Sequence, residues 1–264
     1  MRTSEVRPDI VDLLGPEFDR VGGEPAQRTL IVCAAPRTGS YELGRMLMAA
    51  GIGIAHEYFH SDFAAILAAR WNLPANVLSS NHIGTYVAEL RRRRSAGGVF
   101  ATKLQYWQYV ASLRNAHGRA LFEGAVVVHL FRADATSQFV SWHRAQETGR
   151  YDFSEKLTNP AGSPAQLMER GHLLRMAQFL VSEDAGFRRV FIMSGIHPIF
   201  LEFDAFTKDP RSSIEHIGSA LGVPLNYESL NMALVRTAPY RHSDSAVDRE
   251  RLLADLLKDS AFES

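Results

Sequence analysis

The chain has 264 residues, 46% of them hydrophobic and 22% charged, enough to bury the core of one domain. Its 29 basic residues balance 29 acidic ones, so no overall field draws it to nucleic acid and any anion site must be built locally. A single cysteine, Cys33, excludes an intrachain disulfide and a cysteine-held zinc, and no apolar stretch reaches bilayer length, so the expectation is a cytoplasmic protein with no transmembrane segment.

Residues 1–28 are rich in Pro, Gly and charge and lack a signal-peptide apolar core. Their one short apolar cluster, Ile10-Val11-Asp12-Leu13-Leu14, suits one docking turn or helix, and they read as an extension preceding a single domain over 29–264. Thr29 to Ala34 has the continuous apolar, β-branched texture of a buried parallel strand. A helix is predicted next, because Leu43, Met46, Leu47 and Ala50 recur at helical spacing and Gly51 supplies a left-handed cap. Further strands are predicted at Val99 to Leu104, Ala125 to Phe131 and Pro198 to Phe203. Helices are predicted near 62–71, 82–95, 134–147 and 164–186, with a last one over Ser212 to Leu221. This alternation predicts an α/β fold, a mainly parallel central sheet flanked by helices, with the ligand site at the carboxyl ends of its strands. The run Arg91 to Arg94 is expected to be a solvated helix end, where cations favour the macrodipole.

The first strand runs into Ala35-Pro36-Arg37-Thr38-Gly39-Ser40-Tyr41 and then a helix, a unit able to offer N–H groups and hydroxyls to an anion. It carries neither the Gly-x-x-x-x-Gly-Lys-Ser/Thr pattern of nucleoside triphosphatases nor a Gly-x-Gly-x-x-Gly pattern, and Arg37 stands where a cation is wanted. The alternative is an ordinary strand-to-helix turn capped by Ser40. Lys103, inside the apolar strand Gly98 to Leu104, needs an anionic partner if it faces inward. Arg132 follows a strand and should emerge at the carboxyl edge of the sheet, where a guanidinium grips a phosphate bidentately. Glu57 follows Gly51-Ile52-Gly53-Ile54-Ala55, which reads as a second short strand; the alternative is a surface Glu beside a loop. The histidines form no metal-ligand spacing, Cys33 reads as core, and Tyr106, Trp107 and Tyr109 either pack or line a pocket.

Several of these segments, in order, resemble the Stf0 family of sulfotransferases that use 3′-phosphoadenosine 5′-phosphosulfate (PAPS). They are Arg37-Thr38-Gly39-Ser40, His56-Glu57-Tyr58-Phe59, Thr102-Lys103-Leu104, His129-Leu130-Phe131-Arg132, and Ser137 through Ala145. The resemblance implies a P-loop-like sulfotransferase fold, PAPS as co-substrate with 3′-phosphoadenosine 5′-phosphate (PAP) as product, and no metal. It implies that Arg37, Thr38, Gly39, Ser40 and Tyr41 surround the 5′-phosphosulfate, with Arg37 also meeting charge on the leaving phosphate and the Thr38 and Ser40 hydroxyls donating. Arg132 is assigned the 3′-phosphate together with Ser141, Ser137 being a rival. Glu57 becomes the general base, its pKa raised where it stands near the donor's negative charge, with His56 its competitor, and Lys103 a group near the sulfuryl group or the substrate. Arg144 is placed near the substrate, and Arg236 and Arg241 in a segment that closes over the nucleotide, Arg241 contacting it. The implied acceptor is a small-molecule hydroxyl, on a carbohydrate such as trehalose or on a glycolipid, and the implied assembly is a homodimer. A small-molecule kinase is the rival enzyme, disfavoured by the missing phosphate-loop Lys and metal-binding Asp. A nucleotide-binding protein without turnover is a third reading.

Overall fold

The computed structural model describes residues 12–148 and 170–237. β1 (Arg28–Ala34) is the middle strand of a five-stranded sheet of order β2-β3-β1-β4-β5. β3 (Val99–Leu104) and β4 (Val126–Phe131) flank it in parallel, and β5 (Ile199–Glu202) is parallel to β4. β2 (Ser95–Ala96) alone runs antiparallel, on the outer side of β3. The helices in chain order are α1 (Ser40–Ala49), α2 (Ser61–Arg70), α3 (Ile83–Arg93), α4 (Tyr106–Gln108), α5 (Ala116–Phe122), α6 (Ala135–Thr148), α7 (Arg170–Ser194), α8 (Phe203–Lys208), α9 (Pro210–Leu221) and α10 (Tyr227–Thr237). A π-helical turn, Tyr109–Leu113, continues α4.

The continuous apolar texture of β1 follows from burial on both faces. Ile31 and Cys33 enter a core built with α2, α3, α5 and α7, while Leu30, Val32 and Ala34 enter a second core with α1, α9 and α10. Leu43, Met46 and Leu47 fix the buried face of α1, which brings its N-terminus to the carboxyl end of β1. A smaller cluster joins Phe139 and Val140 of α6 to Leu173, Met176 and Leu180 of α7. The architecture is the expected α/β one: a mostly parallel central sheet flanked by helices.

Several expectations are corrected. The segment 51–55 forms no strand; His56 makes a single parallel bridge to Thr102, with the Lys103 N–H donating to the His56 carbonyl at 2.9 Å. The predicted helix at 164–186 continues to Ser194, and its first residues fall outside those described. Gly186 lies inside it, with the Tyr106 ring packed against it: a Cβ there would sit 2.4 Å from Tyr106 Cδ1. α9 begins at Pro210, with the Asp209 carboxylate accepting the Ser212 N–H at 3.0 Å. It is not the last helix, since α10 follows, capped by Asn226 and anchored by the buried Leu230.

Arg91, Arg92 and Arg93 form the partly exposed last turn of α3, but Arg94 is not part of a solvated helix end. Arg94 is fully buried; its Nε lies 2.8 Å from Asp19 Oδ1, and its guanidinium donates to the carbonyls of Leu13 at 2.6 Å and Leu14 at 2.9 Å. Arg70 also donates to the Leu14 carbonyl, and Trp71 Nε1 donates to Asp19 at 2.8 Å. These contacts hold the turn Asp12–Leu14 against α2 and α3, with Leu14 inside the core.

Candidate active site

The loop between β1 and α1 is bent by two left-handed residues, Arg37 at φ 65° and Gly39 at φ 77°. Gly39 also needs the absence of a side chain, because a Cβ would stand 2.6 Å from the Phe203 ring. Thr38 is buried and donates its hydroxyl to the Ala35 carbonyl at 2.9 Å, so that proton holds the loop together and is not offered outward as expected. Ser40 opens α1, and Tyr41 follows in its first turn. The loop therefore ends on a helix N-terminus, where N–H groups and the macrodipole favour an anion.

α6 grips this loop from the side. Gln138 Nε2 donates to the Pro36 carbonyl at 2.7 Å, and one turn later Ser141 Oγ accepts from Arg37 Nε at 3.0 Å. Ser137 is turned to the cap of the same helix, its hydroxyl donating to Asp134 at 2.7 Å and its N–H to the other Asp134 oxygen at 3.0 Å. Of the two rival serines, the structure brings Ser141 to Arg37. Arg132 leaves the carboxyl end of β4, and its guanidinium lies 4.8 Å from the centre of the Phe203 ring, so one phenyl ring backs both Gly39 and Arg132. Arg144 is half-buried on α6, one turn beyond Ser141. Arg236 falls in the last turn of α10, and Arg241 lies outside the described residues.

On the opposite flank, the Glu57 carboxylate is buried among four donors. Lys103 Nζ is 2.6 Å and the Tyr41 hydroxyl 3.2 Å from Oε1, while Oε2 accepts from Gln108 Nε2 at 2.7 Å and Gln105 Nε2 at 2.9 Å. Lys103 thus has the anionic partner its strand position demanded. Burial pushes the Glu57 carboxyl up, but the charge and hydrogen bond of Lys103, the charge of His56 and the Gln108 amide prevail and hold it down at about 2. In this arrangement, without the donor's charge on which the expected rise depends, Glu57 is an ionised carboxylate. His56 is buried too, its ring against Phe63 at 4.8 Å and Tyr58 at 5.7 Å.

Three residues escape the sequence reading. Gln105 and Gln108 hold Glu57 while capping α4 reciprocally, and Glu183 of α7 accepts the N–H groups of Tyr106 at 2.6 Å and Trp107 at 2.8 Å. Burial, together with the Glu57 charge, raises Glu183 to about 7 against those two hydrogen bonds. The Gln-x-x-Gln spacing just after a strand is the cap signal that could have drawn attention to the glutamines. Nothing local marks Glu183, which is 77 residues from Tyr106.

The arrangement offers a helix N-terminus and two arginines for an anion and, joined to the same helix through the Tyr41 hydroxyl, a lysine-paired carboxylate. Among the described residues no group of three or more His, Cys, Asp or Glu is placed to hold a metal ion, and no helix is long and apolar enough to cross a membrane. A search of curated proteins gives no match. A sequence model of the Stf0 sulphotransferase family matches residues 29–252, most of the chain and all of the site just described, and the protein belongs to that family.

Proposed function

We propose that this sulfotransferase moves the sulfuryl group of PAPS to the hydroxyl of a small-molecule acceptor, a carbohydrate or glycolipid. The observation that carries the reading is the meeting, at one sheet edge, of the α1 N-terminus with the Arg37–Ser141 contact on one side and the Glu57–Lys103 ion pair on the other. The reading includes one catalytic domain over 29–264 behind the 1–28 extension, working as a homodimer in the cytoplasm without a metal.

In the proposed reaction the acceptor oxygen attacks sulfur, the bond from sulfur to the bridging phosphate oxygen breaks, and PAP leaves. Arg37 and the α1 N–H groups meet the charge that grows on the leaving phosphate. Arg132, steadied by Phe203, takes the 3′-phosphate. The acceptor proton passes to Glu57 at Oε1. Oε2 is held by two glutamine amides, whereas the partners of Oε1 are a lysine and a tyrosine hydroxyl, groups that can turn toward ligand.

Lys103 reconciles this role with the low pKa of Glu57. Its charge is the chief influence opposing burial at Glu57. When Nζ turns toward the anionic leaving group, burial dominates, and the carboxylate gains basicity at the moment it must accept a proton.

The test pairs binding with product mass. PAP should raise the melting temperature well above any shift given by ATP or S-adenosylmethionine. With PAPS and a carbohydrate panel in the presence of a chelator, mass spectrometry should detect a sulfated product. Stabilisation by ATP and magnesium with none by PAP would favour the kinase instead.

A further inference from the structure

Glu183 sits on α7, while the hydrogen-bond and ion-pair partners of Glu57 come from α1, β3 and the start of α4, and it is 2% exposed. Its two oxygens take the first two N–H groups of α4, donors that a helix cannot satisfy within itself. The third, from Gln108, goes to the side chain of Gln105. A helix this short is not stable by its own hydrogen bonds, so its N-terminus stays where external acceptors hold it.

The consequence reaches Glu57 through the two glutamines. Gln105 Oε1 accepts the Trp107 indole N–H at 2.9 Å, and Gln108 Oε1 accepts the Gln105 backbone N–H at 3.1 Å. With both amide oxygens occupied by donors, each glutamine can turn only its NH2 group to the carboxylate. The direction of both amides, and hence of Glu57, depends on the position of the α4 N-terminus.

We infer that Glu183 is a positioning residue for Glu57: by fixing the N-terminus of α4 it aims the Gln105 and Gln108 amides that orient the carboxylate, an inference that rests on Glu57 being the base. The charged group across from Glu183 is Glu57 itself. On its own helix, Asp184 turns to His129 at 3.2 Å and Arg188 at 2.7 Å, and Arg189 donates to the Tyr106 hydroxyl at 2.6 Å. A glutamine at 183 keeps the shape but offers one acceptor for two N–H groups, and its NH2 opposes the second.

The experiment is a double-mutant cycle between Glu183→Gln and the pair Gln105→Met/Gln108→Met, read by turnover, by PAP affinity and by NMR exchange of the two glutamine side-chain amides. Glu183→Gln should lower amide protection and turnover each by about tenfold, with PAP affinity changed by less than about twofold. In the background without the glutamines it should cost no further turnover. Unchanged amide protection, an equal loss in that background, or PAP affinity falling in step with turnover would overturn the inference. Should Glu183→Gln not fold, the wild-type protein decides: amide protection should fall as pH drops from 8 to 6 and Glu183 takes up a proton, and flat protection would overturn it. A wild-type protein inactive with PAPS would defeat the reading of Glu57 as base, and amide protection would still decide whether Glu183 orients it.

Discussion

Lys103 Nζ lies 2.6 Å from Glu57 Oε1 and 3.2 Å from the centre of the Tyr41 ring, so one buried ammonium joins the end of β3 to the first turn of α1. Removing Lys103 strips the buried Glu57 carboxylate of the ammonium that lies against it. Lys103→Met should lower the unfolding free energy by about 3–5 kcal/mol, and Glu57→Gln in addition should restore much of it. An equal cost of Glu57→Gln in the wild-type and Lys103→Met backgrounds, read by urea unfolding, would show the two charges to be uncoupled.

The same pair has a pH signature. Glu57 is depressed in the folded state from its ordinary 4.5 to about 2, so its stabilisation is complete above about 4.5 and is lost as pH falls toward 2. Acid unfolding of Glu57→Gln should lack that part of the slope.

Glu183 has the opposite sign. Its folded pKa of about 7 lies above 4.5, so the folded state binds more protons and wild-type stability declines as pH rises through that window. The stability of Glu183→Gln relative to wild type should therefore improve between pH 4.5 and 8, by up to about 3 kcal/mol. A gap that stays constant across that range in chemical denaturation would contradict the raised pKa.

Arg132 and Phe203 together predict a selective loss of nucleotide affinity. Arg132→Ala should weaken PAP by roughly 30-fold, about 2 kcal/mol, and adenosine 5′-phosphosulfate, which lacks the 3′-phosphate, much less. Calorimetry giving equal losses for the two ligands would move Arg132 away from the 3′-phosphate.

What the sequence made legible follows from the physics of each segment. β1 and β3 read clearly because strands buried on both faces are continuous apolar runs, and Lys103 stood out as the exception inside one of them. Arg94 was misread because its partners, Asp19 and the carbonyls of Leu13 and Leu14, come from a distant segment with no periodic signature. Glu57 could be picked out, but not its ionisation, which rests on the folded chain bringing Lys103 first, then His56 and the Gln108 amide, against its buried carboxylate.

The most direct test of Glu57 as the base in sulfuryl transfer is the single-turnover rate of Glu57→Gln with PAPS and a hydroxyl acceptor, measured beside its thermal stabilisation by PAP. The variant keeps the shape of the side chain but cannot take the acceptor proton. Transfer should fall by about 10²-fold or more while PAP stabilises it as it does the wild type. A folded, PAP-binding Glu57→Gln protein that transfers sulfate at the wild-type rate would contradict the account.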